Sequence, residues 1–114
     1  LLDAASLAAI TALKHTRYPS FDGEKIDYKT KTDKSLELEK VPIAVTVIKI
    51  GEKFIVDPDT EEEMVVDARL TVSSIEDGTL CALQKGGDFP LTSEDIEKML
   101  DVGIEKGKEL RDYL

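Results

Sequence analysis

The stretch DPDTEEEMVVDAR, residues 57–69, decides how the chain folds because it joins two segments that are rich in β-branched residues. The segment before it reads IAVTVIKIGEKFIV (residues 43–56), and the segment after it reads LTVSSI (residues 70–75). Pro58 and the five acids within residues 57–63 predict an acidic corner between two strands.

The strand that leaves this corner has one polar and one apolar side. Side chains two residues apart on a strand point in the same direction. Asp67 and Arg69 therefore share one face with Thr71, whereas Ala68 and Leu70 share the other. The apolar face predicts core, and the polar face predicts either an ordinary surface or a site.

Tight turns connect the corner to further strands. Gly51 and Gly78 mark two hairpin turns. Residues 43–50 are apolar except for Thr46 and Lys49, which predicts a central strand. Consecutive strands joined by such turns predict an antiparallel meander. The four predicted strands span residues 43–50, 54–56, 65–75 and 79–85.

A helix is predicted at each end of the chain. Residues 3–15 are apolar nearly all round, with Asp3 as the N-cap, so this helix is expected to be buried by the remaining chain, by missing segments or by a partner. The last helix begins at Thr92, and its apolar residues keep steps of three and four. Gly103 and Gly107 lie on that stripe, which predicts a helix backbone lying close against the sheet. The fold class is therefore α+β, with a four-stranded sheet packed against a C-terminal helix.

Residues 16–40 are polar and poorly periodic, which favours a solvated connector. The same segment alternates lysines with Tyr28, so it could instead touch RNA as a basic, aromatic-bearing loop. Residues 36–39 alternate leucine with glutamate and predict a short edge strand.

Composition narrows the function. The 114 residues suit one small domain, and the net charge of −9 argues against the chain alone binding a phosphate backbone.

The single cysteine, Cys81, favours a reducing compartment, hence the cytoplasm, and its apolar strand predicts that it is buried. No apolar run is long enough to span a membrane. The chain opens on Leu1 rather than Met, and we expect it to be part of a longer polypeptide.

The chemistry suggested by the residues is limited. No Gly-rich phosphate loop, Cys/His metal spacing or Ser/His/Asp set is present. The acids of residues 57–63 repel one another and could hold Mg²⁺, although acidic turns are usually only solvated. Asp67 and Arg69 are either an in-strand charge pair or part of a site.

Five short motifs together resemble an RNase PH-type domain, and more closely the non-catalytic RNase PH-like subunits of archaeal exosomes. They are LDAASLAA (2–9), VPIAVTV (41–47), DPxxEEE (57–63), DARLTV (67–72) and QKGG (84–87). The resemblance implies that residues 1–40 are the end of a first subdomain plus a connector. It implies that residues 41–114 are the second subdomain.

The resemblance also implies a function. Catalytic and non-catalytic subunits of this kind alternate in a hexameric ring that degrades RNA from its 3′ end with inorganic phosphate and possibly Mg²⁺. Catalytic members have an aspartate that an ungapped match places at Arg69, and an arginine cannot supply a proton near neutral pH. The expected function is a non-catalytic, RNA-contacting subunit without a cofactor or metal of its own, in which Arg69 and Lys85 contact RNA or support a catalytic partner's site.

Two alternatives stay open. A one-residue gap would put Asp67 in the catalytic position, and the chain would then be a phosphorolytic exoribonuclease with Asp67 and Glu63 as its acids. The chain could also be a small α+β interaction module unrelated to RNA.

Overall fold

The chain folds into three helices and six strands. A computed structural model describes all 114 residues, and the α+β class predicted from the sequence is confirmed. The elements in chain order are α1 (Leu2–Lys14), β1 (Arg17–Phe21), β2 (Ile26–Ser35), β3 (Ile43–Ile50), β4 (Lys53–Val56), α2 (Thr60–Glu63), β5 (Ala68–Ser74), β6 (Leu80–Gly86) and α3 (Ser93–Arg111).

The main sheet has the strand order β4-β3-β5-β6, and every pair is antiparallel. The four strands are confirmed, but the meander is wrong, because β5 pairs with β3 rather than with β4. The short β4 lies on one edge of β3 and β5 lies on the other, so these two strands run parallel to each other. The chain between them must therefore cross β3, and residues 57–67 make that crossing.

Helix α3 covers one face of this sheet. The core consists of alternate side chains from the two central strands together with Met99 of the helix, and these residues are Ile43, Val45, Val47, Leu70, Val72 and Met99. Burying a side chain of this size contributes roughly 1.5–3 kcal/mol. A Cβ at Gly103 would lie 2.7 Å from Cβ of Val72, so the close approach of helix and sheet predicted from the two glycines is confirmed.

The N-terminus of α3 is fixed as the sequence predicts. The side chain of Thr92 accepts a hydrogen bond from the backbone N–H of Asp95, and Asp95 accepts one from Thr92 in return, which completes a capping box. The Asp95 carboxylate also accepts a hydrogen bond from Nζ of Lys49, which lies on the central strand β3, at 2.7 Å. This contact explains why the otherwise apolar β3 contains Lys49.

Helix α1 is far less buried than its sequence predicts. Only Ile10 is buried, and Leu1 and Leu2 are largely exposed, so the remaining chain does not cover this helix. The helix contacts mainly β3, where the strand extends beyond the end of β4, and this open edge is too narrow to cover it. The N-cap position is Leu1 rather than Asp3, whose side chain has another partner.

Residues 17–35 form a two-stranded hairpin, β1–β2, instead of the solvated connector that was predicted. Its register shifts twice, and nearly all of its side chains are exposed. Without a buried face there is no period-two apolar pattern for sequence reasoning to detect. Residues 36–39, predicted as an edge strand, lie outside every strand.

Two further expectations concern edges. Cys81 is exposed rather than buried, because β6 is the outer strand beside β5 and α3 does not reach over it. The strand after the corner begins at Ala68 rather than at residue 65, because the chain is still turning at residues 64 and 65. None of the three helices combines the length and apolar character needed to cross a lipid bilayer.

Candidate functional site

The crossing segment lies over the face of the sheet opposite α3. Ile48 alternates with the core residue Val47 and therefore points away from α3, yet it is only 3% exposed. Ile48 and Thr46 line a cleft together with the corner residues Asp57 and Glu63. The corner therefore covers the middle of β3 on this face of the sheet.

Local chemistry shapes this corner. Asp57 has a φ of 59°, a left-handed conformation that non-glycine residues rarely adopt, and it turns the chain sharply out of β4. The side chain of Asp59 then accepts the backbone N–H of Glu62, while Glu62 accepts the backbone N–H of Asp59. This capping box starts the single turn of α2, so two of the five acids hold the corner's own backbone.

The cleft has a volume of about 680 Å³ and lies between the corner and the first turns of α1. Its charged lining groups are Asp3, Asp57, Glu63 and Arg69, and the remaining lining is largely apolar. Three carboxylates and one guanidinium thus face a common space. An anionic ligand in this cleft would meet a single cation.

Asp3 joins the helix to the sheet at one end of the cleft. Its Oδ2 accepts the backbone N–H of Thr46 at 2.6 Å, and its Oδ1 accepts the Thr46 hydroxyl at 2.7 Å. The hydroxyls of Thr46 and Thr71 are 2.9 Å apart. Because β4 ends opposite Val47, the Thr46 N–H has no strand partner, and Asp3 satisfies it. Sequence reasoning missed this bond, although Thr46 was one of two polar residues in an apolar strand.

Arg69 lies in the cleft and has no hydrogen-bond or ion-pair partner within the chain. It is paired across the sheet with Gly86 on β6, and its side chain runs over that glycine. The absence of a side chain at Gly86 leaves the space that the arginine occupies. The guanidinium is therefore available to an external anion at the rim of the cleft.

Asp67 and Glu63, the acids of the enzyme alternative, are not brought together. Glu63 lines the cleft, whereas the Oδ2 of Asp67 accepts the backbone N–H of Gly51 at 2.7 Å, in the turn between β3 and β4. The backbone of Asp67 is also held, because its N–H donates to the carbonyl of Lys49. Asp67 acts here as a staple for the hairpin turn.

Lys85 and Arg69 lie on opposite faces of the sheet. Lys85 is paired with Leu70, which belongs to the core under α3, so its side chain leaves the sheet on the α3 side. Its Nζ donates to the carbonyl of Gly87 at 2.6 Å. The two cations proposed from the sequence therefore cannot hold one phosphate together.

No group of three or more His, Cys, Asp or Glu side chains converges in a metal-binding arrangement. In the acidic corner, Asp59 and Glu62 bond to backbone N–H groups, and Asp57 and Glu63 line the cleft. The residues of this site can bind an anion through Arg69. The site does not place a carboxylic acid opposite Arg69 at hydrogen-bond distance.

Comparison with known proteins gives a consistent result. A model of the 3′ exoribonuclease family, domain 2, matches residues 40–106. The chain is 38% identical over its full length to the exosome complex component Rrp42 of Methanothermobacter thermautotrophicus, of which it covers 43%. It is 37% identical over 98% of its length to Rrp42 of Thermoplasma acidophilum, of which it covers 41%. The chain thus spans less than half of these relatives.

Solved structures agree with the sequence relatives. A chain of an Archaeoglobus fulgidus exosome with RNA bound to the active site superposes with a TM-score of 0.80 at 35% identity, over 98% of this chain and 42% of that one. A chain of an archaeal exosome core superposes with a TM-score of 0.82 at 36% identity, over 99% and 44%.

Proposed function

Since the chain belongs to the 3′ exoribonuclease family, in which it carries domain 2, we propose that it is part of a non-catalytic subunit of an exosome ring. In this proposal the subunit alternates with a catalytic RNase PH-like partner in a hexamer. The partner degrades RNA from the 3′ end with inorganic phosphate, and this chain supports the partner's site and contacts the RNA.

The proposal rests on which charged residues line the cleft. The position where the family resemblance expects a catalytic aspartate is occupied by Arg69, which lines the cleft. The other aspartate that could replace it, Asp67, is bonded to the backbone of Gly51. These two observations support a subunit that offers a cation to a phosphate and leaves proton transfer to its partner.

The contribution of Arg69 follows from its chemistry. A guanidinium keeps its charge at every physiological pH and can hold a phosphate through two parallel hydrogen bonds. Because it spans Gly86 at the rim of the cleft, it can contact an RNA phosphate or a carboxylate of the neighbouring subunit. A contact with a phosphate orients the RNA strand, whereas a contact with a carboxylate supports the partner's site. In both cases the partner carries out the chemical step.

Reconstitution with the catalytic partner tests the proposal. The full-length chain alone is expected to release no nucleoside diphosphate from RNA and phosphate, and the assembled ring is expected to release it. Arg69→Ala should weaken the ring's apparent affinity for RNA by about tenfold, which is the scale of one lost charge-assisted hydrogen bond. Arg69→Lys should restore part of it, because the charge remains but the planar fork does not.

Lys108→Ala is the matched control, because it removes an exposed cation from α3, away from the cleft. It should leave the ring's activity unchanged. Nucleoside diphosphate release by the isolated chain would establish the enzyme alternative. A full-length chain that neither assembles with the partner nor affects RNA turnover would favour an interaction module unrelated to RNA.

A further inference from the structure

The hairpin β1–β2 stands away from the rest of the molecule. No other helix or strand makes an extensive contact with it, and none of its side chains belongs to the core. The molecule as a whole is elongated, at 60 × 29 × 23 Å. An isolated two-stranded hairpin is only marginally stable in water, so this arm needs contacts beyond its own two strands.

The charge of the hairpin differs from that of the remaining chain. Residues 17–35 carry five basic and four acidic side chains, whereas the rest of the chain carries ten and twenty. A local net charge of +1 thus stands against −10 elsewhere. The overall acidity, which argues against nucleic-acid binding by the chain as a whole, does not extend to this arm.

The hairpin's lysines form no ion pairs within the chain, while two of its acids accept hydrogen bonds from neighbouring residues. The three ion pairs of the chain all involve α3 and none involves the hairpin. Asp22 accepts the backbone N–H groups of Lys25 and Glu24, which lowers the pKa of its carboxyl. Asp27 likewise accepts the Thr30 hydroxyl and the Lys29 N–H, which lowers its pKa. Both carboxylates are committed to local turns rather than to the lysines.

Aromatic side chains accompany these lysines. Tyr18, Phe21 and Tyr28 are three of the chain's six aromatic residues, and all three are exposed, Tyr28 to 71%. Lys34 Nζ lies 5.5 Å from the centre of the Tyr18 ring, so the cation and the ring already share one surface. Large exposed rings on an arm without a core are costly unless they stack on something.

We propose that the β1–β2 hairpin is a binding arm for single-stranded RNA, with Lys34 contacting a phosphate and Tyr18 stacking on a base. Free lysines beside exposed rings are the combination that binds single strands without sequence preference. Protein interfaces are also rich in tyrosine, but they are depleted in lysine, which favours the polyanion. The inference rests on the proposed function in that RNA is the polyanion such a ring would handle.

Fluorescence anisotropy with a labelled oligoadenylate of about 16 nucleotides tests the arm, using the full-length chain both alone and assembled with its catalytic partner. Lys34→Gln should weaken binding about threefold and reduce the slope of log affinity against log salt by about 0.7. Tyr18→Ala should weaken binding about tenfold, with an unchanged salt slope. Lys53→Gln is the matched control for charge and should have little effect, because this exposed lysine lies outside the hairpin.

The three variants change exposed side chains, so circular dichroism melting curves should superpose on that of the parent chain. Unchanged RNA affinity and salt slope in the hairpin variants would overturn the proposal. So would variants that bind RNA normally but no longer assemble, because the arm would then be a protein contact. A parent chain that binds RNA through the arm but forms no active ring would contradict the proposed function alone.

Discussion

The side chain of Arg69 crosses the backbone of Gly86 on the neighbouring strand, with its Nε 2.6 Å from the position that a Cβ on this glycine would take. The two residues are register partners at the point where β6 ends, and Arg69 lines the cleft from there. The direction of the guanidinium therefore depends on a missing side chain one strand away. A substitution at Gly86 can therefore test the function of Arg69 without changing Arg69 itself.

Gly86→Ala should displace the Arg69 guanidinium with little loss of stability. The added methyl group meets a flexible side chain, which can move aside, so the free energy of unfolding should fall by less than about 1 kcal/mol. In the assembled ring the variant should reproduce a large part of the RNA-affinity defect of Arg69→Ala. The double variant Gly86→Ala with Arg69→Ala should be no worse than Arg69→Ala alone. A double variant with additive defects would show that the glycine acts by another route.

Gly103→Ala should destabilise the chain although alanine is the better helix former by about 1 kcal/mol. The new methyl would lie 2.7 Å from Cβ of Val72, which is fixed in the core, so helix and sheet must separate. We expect a net loss of about 1–3 kcal/mol, measured by urea unfolding. Gly107→Ala is the matched control, since its nearest neighbour is the Ser74 hydroxyl at 3.2 Å. Equal effects at the two positions would contradict this account.

The parts of the fold that the sequence predicts well are those in which burial and pattern coincide. β3 spans the predicted residues, because its apolar run is bounded by Pro42 and Gly51. The capping box of α3 and its glycine stripe depend only on local spacing, and both are present. The hairpin could not be found in this way, because it has no buried face, and its strands show no apolar alternation.

Long-range geometry escaped prediction for a different reason. A meander assumes that strands adjacent in sequence are adjacent in space, but β4 has only four residues and the crossing segment is long enough to pass over β3. The same crossing places Glu63 in the cleft and leaves Asp67 at the Gly51 turn. Face alternation predicts that Asp67 and Arg69 share one side of a strand, but Asp67 lies one residue before β5, and its side chain binds the Gly51 turn while Arg69 lines the cleft.

Asp3→Ala should loosen α1 from the sheet. The variant leaves the Thr46 N–H and hydroxyl without their acceptor at the open edge of β3, a loss of about 1–3 kcal/mol. Amide hydrogen exchange at Thr46 should accelerate more than at Val47, which is paired within the sheet. Asp3→Asn should have a smaller effect, because its amide oxygen can still accept one bond. Unchanged exchange at Thr46 in the alanine variant would show that the bond is dispensable.

Lys49 and Asp95 should make stability depend on pH in a defined direction. The Lys49 ammonium, followed by the Thr92 backbone N–H, holds the pKa of Asp95 below its ordinary value of 3.8, and the Asp95 carboxylate raises the pKa of Lys49 above 10.5. A lowered carboxyl pKa stabilises the fold above pH 3.8, and this contribution is lost as the pH falls through the lowered value. A raised lysine pKa stabilises it below pH 10.5, and this contribution is lost as the pH rises through the raised value.

Lys49→Met removes the ammonium and retains most of the side chain's apolar volume. Its melting temperature should lie below that of the parent chain at pH 7, and the difference should narrow as the pH falls below 3.8 and Asp95 becomes protonated. Lys98→Met is the control, because its partner Glu94 is largely exposed and such pairs contribute little at any pH. A gap between the parent chain and Lys49→Met that stays constant from pH 7 to below 3.8 would mean that the charge of Lys49 on ionised Asp95 is not the source of the stabilisation.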